Sequence, residues 1–113
     1  MNLPTLLDIE DAAQVVYREF AATPQYAWGL LGQKLGTTCW VKHENHTPVG
    51  AFKIRGGLTY FDQLARSSTL PKEVISATRG NHGQSVGWAA RAHGVACTIV
   101  VPHGNSLEKN AAM

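Results

Sequence analysis

Apolar residues at Ile54, Leu58, Phe61 and Leu64 recur at helical spacing, and Pro48 and Gly50 punctuate the chain just ahead of them. The pattern predicts a helix whose first turn holds Lys53. An earlier helix has Ile9, Ala12, Ala13, Val16 and Phe20 as its apolar face. Thr5 is placed to cap it, and Asp8, Glu10 and Asp11 in its first turns suit the helix dipole. It should end before Pro24, because the residue preceding a proline leaves the helical region. Residues 25–36 are ambiguous: Leu30, Leu31 and Leu35 suggest a short helical turn that Gly36 terminates. Residues 37–42 read as a strand, with Cys39 and Val41 on one face and Trp40 on the other.

The second half is more regular. A strand at residues 73–77 runs into a glycine-containing turn, then a helix with Val86, Ala89 and Ala90 inward and His93-Gly94 as its stop. Residues 95–101 form an almost wholly apolar strand of the kind buried on both faces. Together these make one βαβ unit, whose crossover should be right-handed. Residues 102–113 open a further helix, with Asn105 as its cap and Glu108 at the third helical position.

Composition narrows the classes. The 113 residues are 44% hydrophobic and 16% charged, as in a globular domain with a core. A formal charge of +2 with no Lys/Arg run gives no footprint for nucleic acid. No apolar run approaches the roughly 20 residues that span a membrane. The first ten residues are acidic and lack a basic region, unlike a secretory signal. Cys39 and Cys97 lie far apart in apolar runs and read as buried free thiols, so a cytoplasmic location is expected.

Lys53 is the first candidate for chemistry. A helix N-terminus carries partial positive charge and disfavours a cation, and the apolar Phe52 beside it works the same way. A neutral amine attacks carbonyls, as Schiff-base lysines do. The alternative is a surface lysine opening an amphipathic helix. Gly56-Gly57 inside that helix costs roughly 1 kcal/mol per glycine against alanine, so close approach of a cofactor or a neighbouring backbone is expected there. His43 and His46 flank Glu44-Asn45 but lack the remaining ligands a zinc site wants, so no metal is expected. The turn Thr78-Arg79-Gly80-Asn81-His82-Gly83-Gln84 presents backbone N–H groups at a helix N-terminus, a ready anion site. Its spacing fits neither a dinucleotide fingerprint nor a phosphate-binding P-loop. Asn81 could also serve as a helix cap.

Two stretches resemble a known family. Glu44, then Val49-Gly50-Ala51-Phe52-Lys53-Ile54-Arg55-Gly56-Gly57, resembles the lysine signature of the serine/threonine dehydratases, pyridoxal-phosphate (PLP) enzymes of fold type II. Thr78, Gly80-Asn81-His82 and Gln84 resemble the second motif of that family, in the right order along the chain. Thr23-Pro24 fits a third, looser signature, with Gln25 where the family usually has an apolar residue. The resemblance implies an α/β fold like that of tryptophan synthase β, here as pieces of two three-layer domains with parallel sheets. Residues 1–70 would begin the large PLP domain with the lysine helix. Residues 71–113 would begin the small βαβ domain, and residues 37–42 would belong to a different sheet from the later strands.

It further implies that Lys53 holds PLP as a Schiff base, with Phe52 and Asn81 also contacting the cofactor, Asn81 through the ring hydroxyl. Thr78, Gly80, Asn81 and His82 would hold the substrate α-carboxylate. The activity implied is α,β-elimination of L-threonine or L-serine to a 2-oxo acid and ammonia, as in isoleucine biosynthesis, by a homodimer or homotetramer. Arg79 departs from the pattern: racemases of the family place a serine there as acid/base, and arginine does not deprotonate. An ammonia-lyase is therefore preferred over a racemase. Other expectations that stay open are β-replacement or threonine synthesis on the same fold, a non-catalytic remnant, and a generic βαβ nucleotide-binding module. The glycine-rich phosphate loop and the residue contacting the pyridine nitrogen are not in this sequence. It is read as an N-terminal fragment, inactive and poorly folded alone.

Overall fold

The computed structural model describes residues 3–113. Helix α1 (Leu6–Glu19) opens with a capping box. Thr5 Oγ1 accepts from the Asp8 amide at 3.2 Å, and the Asp8 carboxylate accepts from the Thr5 amide at 2.7 Å. The Thr5 hydroxyl also donates to the Asp8 carboxylate at 2.6 Å, and this bond, with the one from the Thr5 amide, holds the Asp8 carboxyl below its usual value. Of the expected apolar face, Val16 is buried and Ala12, Ala13 and Phe20 are half-buried, while Ile9 is exposed; Val15 is buried beside them. Leu6, Leu7 and Ile9 in the first turns of α1 are exposed.

Strand β1 (Gln25–Ala27), helix α2 (Gly29–Leu35) and strand β2 (Trp40–Lys42) follow. Gly36 ends α2 in the left-handed region, at φ 66°, as the sequence suggests. β1 was not legible, and it pairs antiparallel with β2, Tyr26 opposite Val41. β2 is shorter than the expected 37–42, because Thr37 instead closes the α2 C-terminus, its amide donating to the Gly32 carbonyl.

A short 3₁₀ turn (Glu44–His46) leads to α3 (Lys53–Arg66), then β3 (Glu73–Ala77), α4 (Asn81–Ala92), β4 (Ala96–Val100) and α5 (Leu107–Ala111). β3 and β4 are parallel, Ile75 opposite Thr98, and form a sheet separate from β1–β2. The core lies between α3 and α4. Ile54, Leu58 and Phe61 of α3 pack with Ala89 and Ala90 of α4, and with Val95 and Val15. Burying each of the three large side chains contributes about 1.5–3 kcal/mol.

The small faces of the two helices let them approach closely. A Cβ on Gly57 would stand 2.5 Å from Ser85 Oγ and 2.8 Å from the Ser85 carbonyl oxygen. The expected close approach is thus a neighbouring backbone, at Gly57 alone; a Cβ on Gly56 would meet nothing. Gly83 packs α4 onto the sheet, since a Cβ there would meet Thr78 Cγ2 at 2.6 Å and Ile99 Cγ2 at 3.1 Å.

The sheet is covered on one face only. Val74 and Cys97 pack beneath α4, while Ile75 on the other face is 72% exposed. The apolar composition of β4 fits burial on both faces, but no second layer lies among the described residues. α5 is capped by Ser106, one residue later than expected, through a bond from the Lys109 amide. Asn105 instead donates to the Asn110 side chain at 2.6 Å. Both cysteines are free and half-buried, and burial pushes the Cys97 thiol up. No helix among the described residues is long and apolar enough to cross a membrane.

Candidate active site

The turn before α3 is set by one side chain. Thr47 is buried, and its hydroxyl accepts from the Ala51 amide and donates to the Ala51 carbonyl, each at 2.9 Å. Gly50 takes φ 65°, a left-handed position that a glycine fills without strain. The chain then enters α3 at Phe52, leaving Lys53 as the first helical residue.

Two further contacts fix where Lys53 sits. Ser85, buried inside α4, donates from its hydroxyl to the Lys53 carbonyl at 2.6 Å. One turn into α3, Arg55 grips Glu44 through Nε at 2.7 Å and Nη2 at 2.9 Å. The Thr23 hydroxyl donates to the same carboxylate at 2.6 Å, and the Arg55 guanidinium lies 5.3 Å over the Phe20 ring. Hydrogen bonding from Arg55 holds the Glu44 carboxyl below the usual glutamate value of 4.5, with burial opposing and Thr23 assisting. This clamp ties the end of α1, the Thr23 loop and the 3₁₀ turn to the helix that carries Lys53.

Gly80, not Asn81, is the N-cap of α4, and Asn81 is the first helical residue. Its side chain is therefore free of the capping role. The Thr78 hydroxyl accepts from the Gly80 amide at 3.2 Å and steadies the turn. The next amides, at residues 81–83, have no acceptor inside the helix.

Lys53, Thr78, Gly80, Asn81 and His82 line one cavity of about 370 Å³, together with Arg79 and Lys109. The structure thus brings the two sequence motifs to a common cleft. Phe52 is left out of it: its side chain is 62% exposed and does not line the cavity. Ser85 and Lys109 were not singled out from the sequence. Ser85 lies one helical turn beyond Asn81, and Lys109 arrives from a separate helix. The histidines near Glu44 lie apart from this cleft, in an aromatic cluster. Trp28 Nε1 donates to His43 Nε2 at 3.2 Å, and the His43 and His46 ring centroids are 5.7 Å apart. No group of three potential metal ligands occurs among the described residues.

Residues 16–113 match the family described as "Pyridoxal-phosphate dependent enzyme". The chain belongs to that family. It is 34% identical over 112 residues to the L-threo-3-hydroxyaspartate ammonia-lyase of Saccharomyces cerevisiae, covering 99% of this chain and 34% of that protein. To the L-threonine ammonia-lyase of Geobacter sulfurreducens it is 40% identical over 77 residues, 68% of this chain and 19% of that protein. A solved PLP-dependent aspartate racemase superposes with a TM-score of 0.81 at 31% identity, over 98% of this chain and 36% of the other. The fold is the mixed α/β fold of these fold type II PLP enzymes, and the chain spans about a third of the length of the relatives that match it end to end.

The residues present fit the cofactor. A primary amine and the open amides of α4 face one cleft, which suits a carbonyl compound bearing an anionic substrate.

Proposed function

We propose that the whole protein is a PLP-dependent ammonia-lyase acting on a β-hydroxy amino acid, L-threonine or L-serine, and releasing a 2-oxo acid and ammonia. In this reading Lys53 anchors the cofactor, and its amine takes the α-proton from the substrate. PLP, when bound, supplies the electron sink for the resulting negative charge. Asn81 faces the cofactor ring from the start of α4. The Thr78 hydroxyl and the amides of Gly80, Asn81 and His82 hold the α-carboxylate, helped by the positive end of α4. Ser85 keeps the start of α3 at a fixed distance from α4, and the Glu44–Arg55 clamp ties that helix to the Thr23 loop.

The observation that carries the reading is the shared cleft of Lys53 and the Thr78–His82 turn, in a chain of this family. Relatives include ammonia-lyases named for threonine and for 3-hydroxyaspartate, and also racemases. Racemisation is the second reading. Arg79 weighs against it, since a group that keeps its proton cannot act as acid and base in turn.

The test is release of 2-oxo acid from L-threonine and L-serine by the whole protein with PLP. Lys53→Ala should abolish it, by more than about 10³-fold, because anchor and base are lost together. Turnover near wild type in that variant, or inversion of serine without 2-oxo acid, would refute the proposal.

A further inference from the structure

Lys53 begins a helix that its own sequence secures poorly. The N-cap of α3, Phe52, makes no side-chain hydrogen bond to the first amides of the helix. Gly56 and Gly57 follow one turn later, and glycine leaves a helix more backbone freedom than any other residue. A helix start of this kind opens locally at little free-energy cost. A lysine that has to meet one proton needs the opposite.

The contact that secures it comes from α4. Ser85 lies inside that helix and is 1% exposed. A serine within a helix ordinarily bonds back to the carbonyl four residues earlier; this hydroxyl reaches across and donates to the Lys53 carbonyl at 2.6 Å. Room for it exists because residue 57 has no side chain. A Cβ there would stand 2.5 Å from Ser85 Oγ and 2.8 Å from the Ser85 carbonyl oxygen. One hydroxyl thus joins the main chain of Lys53 to the helix whose amino end forms the Thr78–His82 turn.

We infer that Ser85 is a positioning residue for proton transfer: through the Lys53 carbonyl it holds the lysine amine in register with a substrate bound at the start of α4. The inference rests on the proposed role of Lys53 as the base, and it separates two tasks within the cleft. The Thr78 hydroxyl and the α4 amides bind the α-carboxylate, and they keep their geometry when the Ser85 hydroxyl is removed. The placing of the amine against that substrate does not survive, because the turn carrying Lys53 is then free to open. Loss of the hydroxyl therefore acts on kcat and leaves KM nearly alone, as expected for an interaction that matters in the transition state and not in binding. A displacement of about 1 Å is enough to slow a reaction roughly 100-fold.

The test uses the whole protein loaded with PLP, with rates taken per bound cofactor. Ser85→Ala should lower kcat for release of 2-oxo acid from L-threonine or L-serine roughly 10- to 100-fold, with KM within about 2-fold of wild type. Substrate deuterated at the α-carbon should still be turned over more slowly by the variant, since proton transfer is the step made harder. Ser85→Cys, close in size but a weak donor, should fall between the two and carries the same readings if Ser85→Ala does not fold. Adding Gly56→Ala to Ser85→Ala stiffens the same turn, where a Cβ meets open space, and should regain part of the lost rate. Hydrogen exchange of the whole protein without PLP gives a readout independent of turnover. The peptide covering residues 53–58 should exchange about tenfold faster in Ser85→Ala, as for loss of one buried hydrogen bond, while β3 is unchanged.

Wild-type kcat per bound cofactor in Ser85→Ala, with only a lower melting temperature, would make Ser85 a packing residue and overturn the inference. A raised KM with kcat intact would also overturn it, as would an α-deuterium effect that vanishes in the variant. If the wild type releases no 2-oxo acid, the elimination reading fails by itself. The exchange comparison then still decides whether Ser85 holds the lysine turn, and equal exchange in the two proteins would overturn that as well.

Discussion

The unit of α3, β3, α4 and β4 and the segment through β1, α2 and β2 differ in what they bury. In the first, Ile54, Leu58, Phe61, Ala89 and Ala90 are closed off from water and a serine hydroxyl is spent on a helix carbonyl. In the second, α2 has no buried residue and every β1 residue is exposed. The motif residues lie in the first and at the flanks of the second, at Thr23 and Glu44. The difference shows where positional precision is kept. Lys53 and the Thr78–His82 turn sit on two helices locked face to face. The earlier segment reaches them mainly through Glu44, Arg55 and Thr23. Proximity of reacting groups counts for catalysis only when their carriers are rigid, and here the rigid pair is α3 and α4.

The sharpest way to break this comparison is to truncate matched leucines. Leu58→Ala should destabilise by about 2–5 kcal/mol through a cavity in the α3–α4 core. Leu30→Ala, at a residue 82% exposed, should stay within about 0.5 kcal/mol. Urea denaturation of both variants checks this. A large loss at Leu30 would show that the segment is covered by something beyond residues 3–113.

Adjacent glycines give a finer contrast. Gly57→Ala should cost about 1–3 kcal/mol by forcing α3 away from Ser85, against a propensity gain of about 1 kcal/mol. Gly56→Ala meets open space and should stabilise by up to about 1 kcal/mol. Thermal unfolding midpoints moving in opposite directions support the packing; both rising would contradict it.

The clamp between the two regions should have a pH signature. Glu44 has a lowered carboxyl value in the folded chain. The stability it contributes is therefore present above the unfolded value of about 4.5 and is lost as pH falls through the lower folded value. Glu44→Gln should cost about 1–2 kcal/mol at neutral pH, and the gap to wild type should shrink in strongly acidic buffer. A gap that stays constant from neutral to acid would mean the carboxylate charge does not matter there.

Much of the rigid pair was legible because its signals are local. The helical spacing of Ile54, Leu58 and Phe61 and the strand, glycine turn, helix and strand order of residues 73–101 need no tertiary information. β1 was missed because its three residues are all exposed and carry no alternation; its pairing with β2 is decided by the path of the chain between them. The face of α1 was legible at Ala12, Ala13, Val16 and Phe20, but periodicity alone could not show that Ile9 stays exposed while Val15 is buried. At the site, the motif residues stood out by type and spacing. Ser85 and Lys109 did not, because each matters through an element distant in sequence.

The central claim is that Lys53 is the amine that holds the cofactor. Borohydride reduction of the PLP-loaded whole protein, followed by proteolysis and mass spectrometry of the peptides, tests it without relying on turnover. The account expects a phosphopyridoxyl group on the peptide containing Lys53, and on no other lysine. The label on Lys109 or on a lysine outside this chain, with Lys53 unmodified, would contradict it.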